Sequence, residues 1–252
     1  DQTHQPPAEG LDYSHLALSD VEISLDSFAY HSPDLRVRVQ KVAFTEKSGL
    51  RVEALSGLVA IDSLRLSLPL LTATTAHSHL RLSGAMDWDT FAATSPGKMA
   101  VRADGELGVE DLAVFAGFLP QQLFASAPRY PLMVSCDVDG NMSRLNINKL
   151  TADMPTAFRA SATGHLGSLL DTRCLSADVT LDATTYNTDF LTAAFLPPST
   201  AEMIHIPDGT RLDARLQAHG ENYTLSAEAG HGDGWLNVDA VYGGRAATYD
   251  AS

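Results

Sequence analysis

Apolar and polar residues alternate with a period of two through most of this chain, and that period constrains the fold more than any other feature. Val21, Ile23 and Leu25 alternate with Glu22, Ser24 and Asp26, and Leu35, Val37 and Val39 alternate with Arg36, Arg38 and Gln40. Leu64, Leu66 and Leu68 alternate with Arg65, Ser67 and Pro69. The pattern returns at Leu175, Ala177, Val179 and Leu181, at Leu212, Ala214 and Leu216, and at Leu236, Val238 and Ala240. Successive side chains of a strand point to opposite faces, so each run offers one apolar and one polar face. Turn signals separate the runs: His31-Ser32-Pro33-Asp34, Lys47-Ser48-Gly49, Asp139-Gly140-Asn141 and His219-Gly220-Glu221-Asn222. Short strands joined by short loops predict a mainly β chain, an antiparallel meander.

Two stretches change period. Over 110–119, Leu112, Phe115, Ala116 and Leu119 follow helical spacing, with Glu110 and Asp111 at the start and Pro120 after the end. Over 189–196, Leu191, Ala194 and Phe195 do the same, with Thr188 or Asp189 as cap and Pro197 as stop. Two short amphipathic helices are expected. Phe118-Leu119-Pro120 recurs as Phe195-Leu196-Pro197, and Gly140 and Leu145 recur as Gly220 and Leu225. These offsets of roughly 77 to 80 residues suggest a repeat. The expected organisation is a linker over 1–10, a β-meander over 11–98, and strand–helix–meander units over 99–170 and 171–252, stacked as one continuous β structure.

Composition narrows the function. Hydrophobic residues are 44%, which excludes a disordered chain. The balance of 17 basic against 31 acidic residues gives a formal charge of −14, which argues against nucleic acid as a partner. Cys136 and Cys174 form no C-x-x-C pair and read as buried free thiols, although a cross-strand disulfide fits an oxidising compartment. No apolar run reaches the ~18 residues of a membrane-spanning helix. The polar start, Asp1-Gln2-Thr3-His4-Gln5-Pro6-Pro7, is not a signal peptide, so any anchor or export signal is expected outside this segment.

Catalytic signatures are weak, and no catalytic, cofactor-binding or metal-binding residue is assigned; the chain reads as a non-enzyme. Gly230-His231-Gly232-Asp233-Gly234 runs into Trp235, Leu236 and Val238, which read as strand, whereas a phosphate-cradling loop opens a helix. Asp137, Asp139 and Asn141 open like a calcium loop, but Met142 and Asn148 stand where Gly and Glu are needed. His77 and His79 lack a third ligand, and Asp87 and Asp89 lack a convergent cleft.

The apolar face therefore carries the functional expectation. Its candidate lining is Val21, Ile23, Leu25, Leu35, Val37, Val39, Leu64, Leu66, Leu68, Leu80, Leu82, Leu175, Val179, Leu181, Leu212, Leu216, Leu225, Leu236 and Val238. An uncovered face of this kind aggregates, so a second layer of sheet, the helices or an apolar ligand must cover it. Periodicity alone leaves an ordinary sandwich core open.

The order Leu25-Asp26-Ser27-Phe28-Ala29-Tyr30, Leu35-Arg36-Val37-Arg38-Val39, Glu46-Lys47-Ser48-Gly49-Leu50, Leu55-Ser56-Gly57 and Ile61-Asp62-Ser63-Leu64-Arg65-Leu66-Ser67-Leu68-Pro69 resembles the TamB (translocation and assembly module) proteins. It also resembles the wider AsmA-like group, especially its Bacteroidetes versions. The Phe-Leu-Pro units and Gly140-Asn141-Met142 before Leu145 share in the likeness. The resemblance implies a sheet curled into an apolar, β-taco-like trough within a long periplasmic protein anchored in the inner membrane. It implies phospholipid passage between inner and outer membranes in outer-membrane biogenesis, with the rest of the full-length chain and an outer-membrane barrel as partners. The alternatives are a scaffold or chaperone that assembles outer-membrane β-barrel proteins by β-augmentation, and an adhesin-like structural β-repeat.

Overall fold

The computed structural model describes residues 16–117, 119–197, 200, 205–243 and 246–251. The expected 1–10 linker and Phe118 lie outside them. In chain order the elements begin β1 (Leu18–His31), β2 (Asp34–Glu46), β3 (Arg51–Ile61), β4 (Arg65–Thr75), β5 (His79–Asp87) and β6 (Lys98–Leu107). Helices α1 (Val109–Phe115) and α2 (Gln121–Ser126) precede β7 (Leu132–Asn141), β8 (Arg144–Met154) and β9 (Phe158–Gly167). A 3-10 turn (Thr172–Cys174) leads to β10 (Ser176–Thr185), followed by α3 (Asp189–Phe195). The last strands are β11 (Arg211–His219), β12 (Asn222–His231), β13 (Gly234–Gly243) and β14 (Ala246–Ala251).

The described strands form one sheet in which spatial order equals sequence order, β1 to β14. Every pairing is antiparallel, and β1 and β14 are the ends, so the sheet is not closed into a barrel. The architecture is the expected meander, open and consistent with a curled trough. Most turns fall where the sequence places them: His31 pairs Asp34 across Ser32-Pro33, and Gly232 supplies a φ of +57° between β12 and β13. One differs. Asp139, Gly140 and Asn141 belong to β7, and the turn sits at Met142-Ser143. Asn141 makes that turn, because its Oδ1 accepts the amides of Ser143 (3.0 Å) and Arg144 (2.9 Å).

Among the described residues three helices have ranges, α1, α2 and α3, where two were expected. The expected helix over 110–119 stops at Phe115, and α2 begins at Gln121. α1 ends where Ala116 leaves helical geometry, at φ −109° and ψ 37°; Pro120, whose missing N–H is tolerated at a helix start and whose φ is −55°, is the N-cap of α2. The helix expected over 189–196 is α3.

Each lead-in is tied to a hairpin turn. Asp111, buried in the first turn of α1, accepts hydrogen bonds from the hydroxyls of Thr75 and Ser78, and Ser78 Oγ accepts the Gly108 amide at 3.0 Å. Before α3, the amides of Tyr186 and Asn187 both donate to the Ala157 carbonyl, at 2.7 and 3.0 Å. The helices then meet at one end of the sheet. Leu123, Met154, Ala157 and Phe190 are buried together, flanked by Val109, Leu119, Leu132, Phe158 and Leu191.

Within the two expected units β6, α1, β7, β8 and β9 run in the same order as β10, α3, β11, β12 and β13, while α2 and β14 have no counterpart among the described residues. The helices fall in step, for Leu112 N bonds Gly108 O and Ala116 N bonds Leu112 O, as Thr192 N bonds Thr188 O and Leu196 N bonds Thr192 O. Phe115, the last residue of α1, therefore stands in the place of Phe195, the last residue of α3. Gly140 and Gly220 do not correspond: one lies within β7 at φ +133°, the other in the β11–β12 turn at φ +58°.

A sheet this wide must bend, and bulges and strand glycines are the usual means. Register shifts interrupt β1–β2, β2–β3, β3–β4, β4–β5, β7–β8 and β8–β9. At Gly57, Gly84, Gly105, Gly140 and Gly164 the backbone of the adjacent strand fills the space a Cβ would need. Gly164 is the tightest, with φ +150°; a Cβ there would overlap the Asp178 carbonyl oxygen and lie 2.7 Å from Val179 Cα. Gly164→Ala is expected to cost about 1–3 kcal/mol or more through strain and overlap, whereas Ser161→Ala on the opposite face should stay within about 0.5 kcal/mol. Urea denaturation of the two variants checks this.

Candidate functional site: an open apolar sheet face

Residues directly opposite each other in an antiparallel pair share a face, so the registers trace that face from strand to strand. One row runs Leu25, Val39, Gly57, Leu71, Leu82, Ala103, Cys136, Leu150, Ala162, Leu181, Ala214, Ala227 and Val238, each residue opposite the next. It crosses β1 to β13 without one polar side chain. At ~4.8 Å between strands the row is roughly 58 Å long.

The registers bring most of the sequence-derived lining residues onto this face. Leu35 is opposite Ile61, Val37 opposite Val59, and Leu66 opposite both Ile61 and Met86. Leu68 meets Gly84, and Leu80 meets Ala73. Val179 faces Leu216, Leu212 faces Ala183 and Ala229, and Leu225 faces Leu216 and Ala240, while Leu236 faces Ala229. Ile23 joins through Val42. Val21 lies in the bulged part of β1, between the Ser19 and Glu22 pairings. Two residues are not strand residues. Leu64 precedes β4 and its carbonyl accepts the Trp88 amide at 3.0 Å; Leu175 precedes β10 and its carbonyl accepts the Gly220 amide at 2.7 Å. The turn at Asp62 and the 3-10 turn at Thr172–Cys174 end the alternation just short of them.

Sequence reasoning missed the middle of the face. Met99 and Val101 of β6, Val134 and Val138 of β7, Leu145 and Ile147 of β8 and Leu166 of β9 all belong to it. The period-2 signal is present in β6 and β7 but is diluted by Ala103, Gly105, Cys136 and Gly140. In β8 a bulge between Ile147 and Leu150 breaks the parity, so alternation alone cannot follow it.

No second sheet covers this face among the described residues. The helices cover only the end where Leu132 and Phe158 meet them. Elsewhere the side chains are half-buried or open: Ile23 is 64% exposed and Leu216 43%. Cys136 lies mid-face, where desolvation first and the neighbouring Asp137 carboxylate second push its thiol pKa up. Cys174, expected to be buried, is exposed in the 3-10 turn, and both cysteines are free.

The opposite face carries the charged residues, several of them in ion pairs. Arg102 Nε lies 2.9 Å from Asp137 Oδ2, Arg159 Nε 2.7 Å from Asp153 Oδ2, and Arg215 Nη2 2.7 Å from Asp178 Oδ2. The hydrogen bond from Arg215 holds the Asp178 pKa down to about 2. Hollows on this face, one of ≈ 600 Å³ bordered by Arg81, Asp104, Met133 and Thr151, lie between side chains of adjacent strands. No group of three or more His, Cys, Asp or Glu side chains among the described residues is arranged to hold a metal ion. The sequence motifs have structural uses: Asp137 pairs Arg102, and Asp87 accepts the Lys98 amide at 3.0 Å and pairs Arg65 at 3.3 Å. His79 begins β5, whereas His77 lies in the turn before it. No described helix is long and apolar enough to cross a membrane.

Asp182 and Asp213 are directly opposed on β10 and β11, and the Asp213 carboxylate raises the Asp182 pKa. A carboxylate with a raised folded-state pKa contributes stability below its unfolded pKa and loses it as pH rises through the folded value. Asp182→Asn is therefore expected to raise the melting temperature at pH 7, and the gain should fade as pH falls into the ordinary carboxylate range. Thermal melts of both forms from pH 3 to pH 7 check the sign. No protein family model, curated protein or solved structure matches this chain.

Proposed function

We propose that this chain is a non-catalytic segment of a cell-envelope protein whose apolar face shelters the acyl chains of phospholipids in passage between two membranes. The observation that carries the reading is the thirteen-residue row from Leu25 to Val238, unbroken by polar side chains and without a covering sheet among the described residues. Each acyl methylene removed from water contributes ~0.8 kcal/mol, so a smooth aliphatic surface holds acyl chains without a specific polar contact. Lateral movement along the row meets no step between deep and shallow sites, because Leu, Val, Ala and Gly repeat along it. The AsmA-like and TamB resemblance supports the same reading and adds the periplasm as the compartment, an inner-membrane anchor elsewhere in the protein, and an outer-membrane barrel as a further partner.

Strand templating by β-augmentation is the second reading, favoured by the outer edge of β1, which pairs on one side only. That edge carries Asp20, Glu22 and Asp26 and is bulged, features that discourage strand addition. Acyl-chain shelter therefore ranks first.

A photocrosslinker placed at Leu82 in the protein expressed in cells should label phospholipid several-fold more than one at Arg81, its neighbour on the other face. Val179→Asp should reduce lipid labelling at Leu82 more than Thr180→Asp does, since a charge in the row carries a steep desolvation cost. Equal labelling at Leu82 and Arg81, or none at either, would remove the support for acyl-chain shelter.

A further inference from the structure

The two ends of the strands differ. One carries the helix layer. The other, formed by the β3–β4 and β5–β6 loops, carries a fixed and exposed apolar rim. Trp88 donates its amide to Leu64 O (3.0 Å) and its indole Nε1–H to Asp62 O (2.9 Å). Asp62 Oδ1 in turn accepts the amides of Leu64 (2.7 Å) and Arg65 (2.9 Å). Thr90, fully buried, donates its hydroxyl to Asp87 O at 2.6 Å and fixes the second loop. Despite these anchors the side chains face solvent: Leu64 is 68% exposed, Trp88 51% and Phe91 63%.

The rim borders the apolar face: Leu66 is opposite Met86 and Arg65 opposite Asp87, and the Trp88 amide bonds the Leu64 carbonyl one residue beyond that end of the ladder. An indole whose N–H is satisfied internally needs no partner donor or acceptor and can bury its ring in an apolar layer. The neighbouring Arg65 and Asp87 are paired with each other, at 3.3 Å.

We propose that Leu64, Trp88 and Phe91 form a membrane-contact rim that inserts into the interfacial layer of a bilayer, at the side where the apolar face is open. The proposal rests on the acyl-chain reading of that face. Its occupant is a lipid surface rather than a protein. At 150–250 Å² per aromatic side chain, half to two-thirds exposed, the three residues offer roughly 400 Å², about half of the ~800 Å² per partner of a stable protein interface. Interfacial insertion of an aromatic and aliphatic loop tip requires no such area. With a formal charge of −14 the chain is repelled by anionic headgroups, so the contact suits a zwitterionic surface.

The test uses the whole chain with Trp235→Phe, which leaves Trp88 as the single tryptophan. Phosphatidylcholine vesicles should shift Trp88 emission to the blue, and bromo-acyl phosphatidylcholine should quench it. Adding phosphatidylglycerol should weaken both effects. Leu64→Ser with Phe91→Ser should lower vesicle partitioning about tenfold while the circular-dichroism spectrum is kept. Leu82→Asp, which interrupts the apolar row, should leave the Trp88 response intact, separating the rim from the row. An unchanged Trp88 spectrum, or partitioning indifferent to the Leu64 and Phe91 substitutions, overturns the proposal. So does a response abolished by Leu82→Asp, which would assign it to lipid in the row. A shift that follows protein concentration instead of vesicles overturns it in favour of self-association.

Discussion

The whole structure depends on the phase of its ladders. Side chains alternate with a strict period of two, so a slip of one residue in any pairing would carry an entire strand's leucines and valines to the polar side. Ladders from β1 to β13 nevertheless keep apolar opposite apolar. Where the chain carries an extra residue, as between Ile147 and Leu150, a bulge absorbs it and the phase is restored on the far side. The same phase keeps arginines opposite or diagonal to aspartates on the other face, as at Arg102–Asp137 and Arg159–Asp153. Both surfaces are set by one constraint.

That constraint leaves an unusual core. The buried hydrophobic residues are few, and the largest group of them, Leu123, Met154, Ala157 and Phe190, sits under the helices at one end. Elsewhere stability must come from the ladders and from half-covered aliphatic contacts between neighbouring strands. The design resembles a stack of hairpins more than a packed sandwich. Each interior strand is secured by its two neighbours, and the helix lead-ins bind hairpin turns through Asp111 and the Ala157 carbonyl.

Much of this was legible in the residues. Alternation located β1, β2, β4, β10, β11 and β13, and the switch of period located α1 and α3. Alternation failed where glycine, alanine and cysteine thinned the apolar signal, in β6 and β7, and where a bulge changed parity, in β8. It placed Leu64 and Leu175 inside strands because a pattern of apolar residues does not mark where the ladder's hydrogen bonds stop. Pro120 follows the first helical run and starts the next helix, α2, because a residue without an N–H is tolerated at a helix start.

Residue order alone is enough to say that the chain is β-rich and that its alternating runs each have one apolar face. Those are local properties, fixed by side-chain period and turn chemistry within a dozen residues. The joining of the faces into one surface, the openness of the sheet formed by the described strands and the cover that the helices give one end of it are settled only in three dimensions. Partner strand, register and closure depend on contacts between distant residues, such as Asp178 with Arg215 or Gly164 with Val179. No local pattern encodes them, because the same alternating strands could equally pair into a closed sandwich.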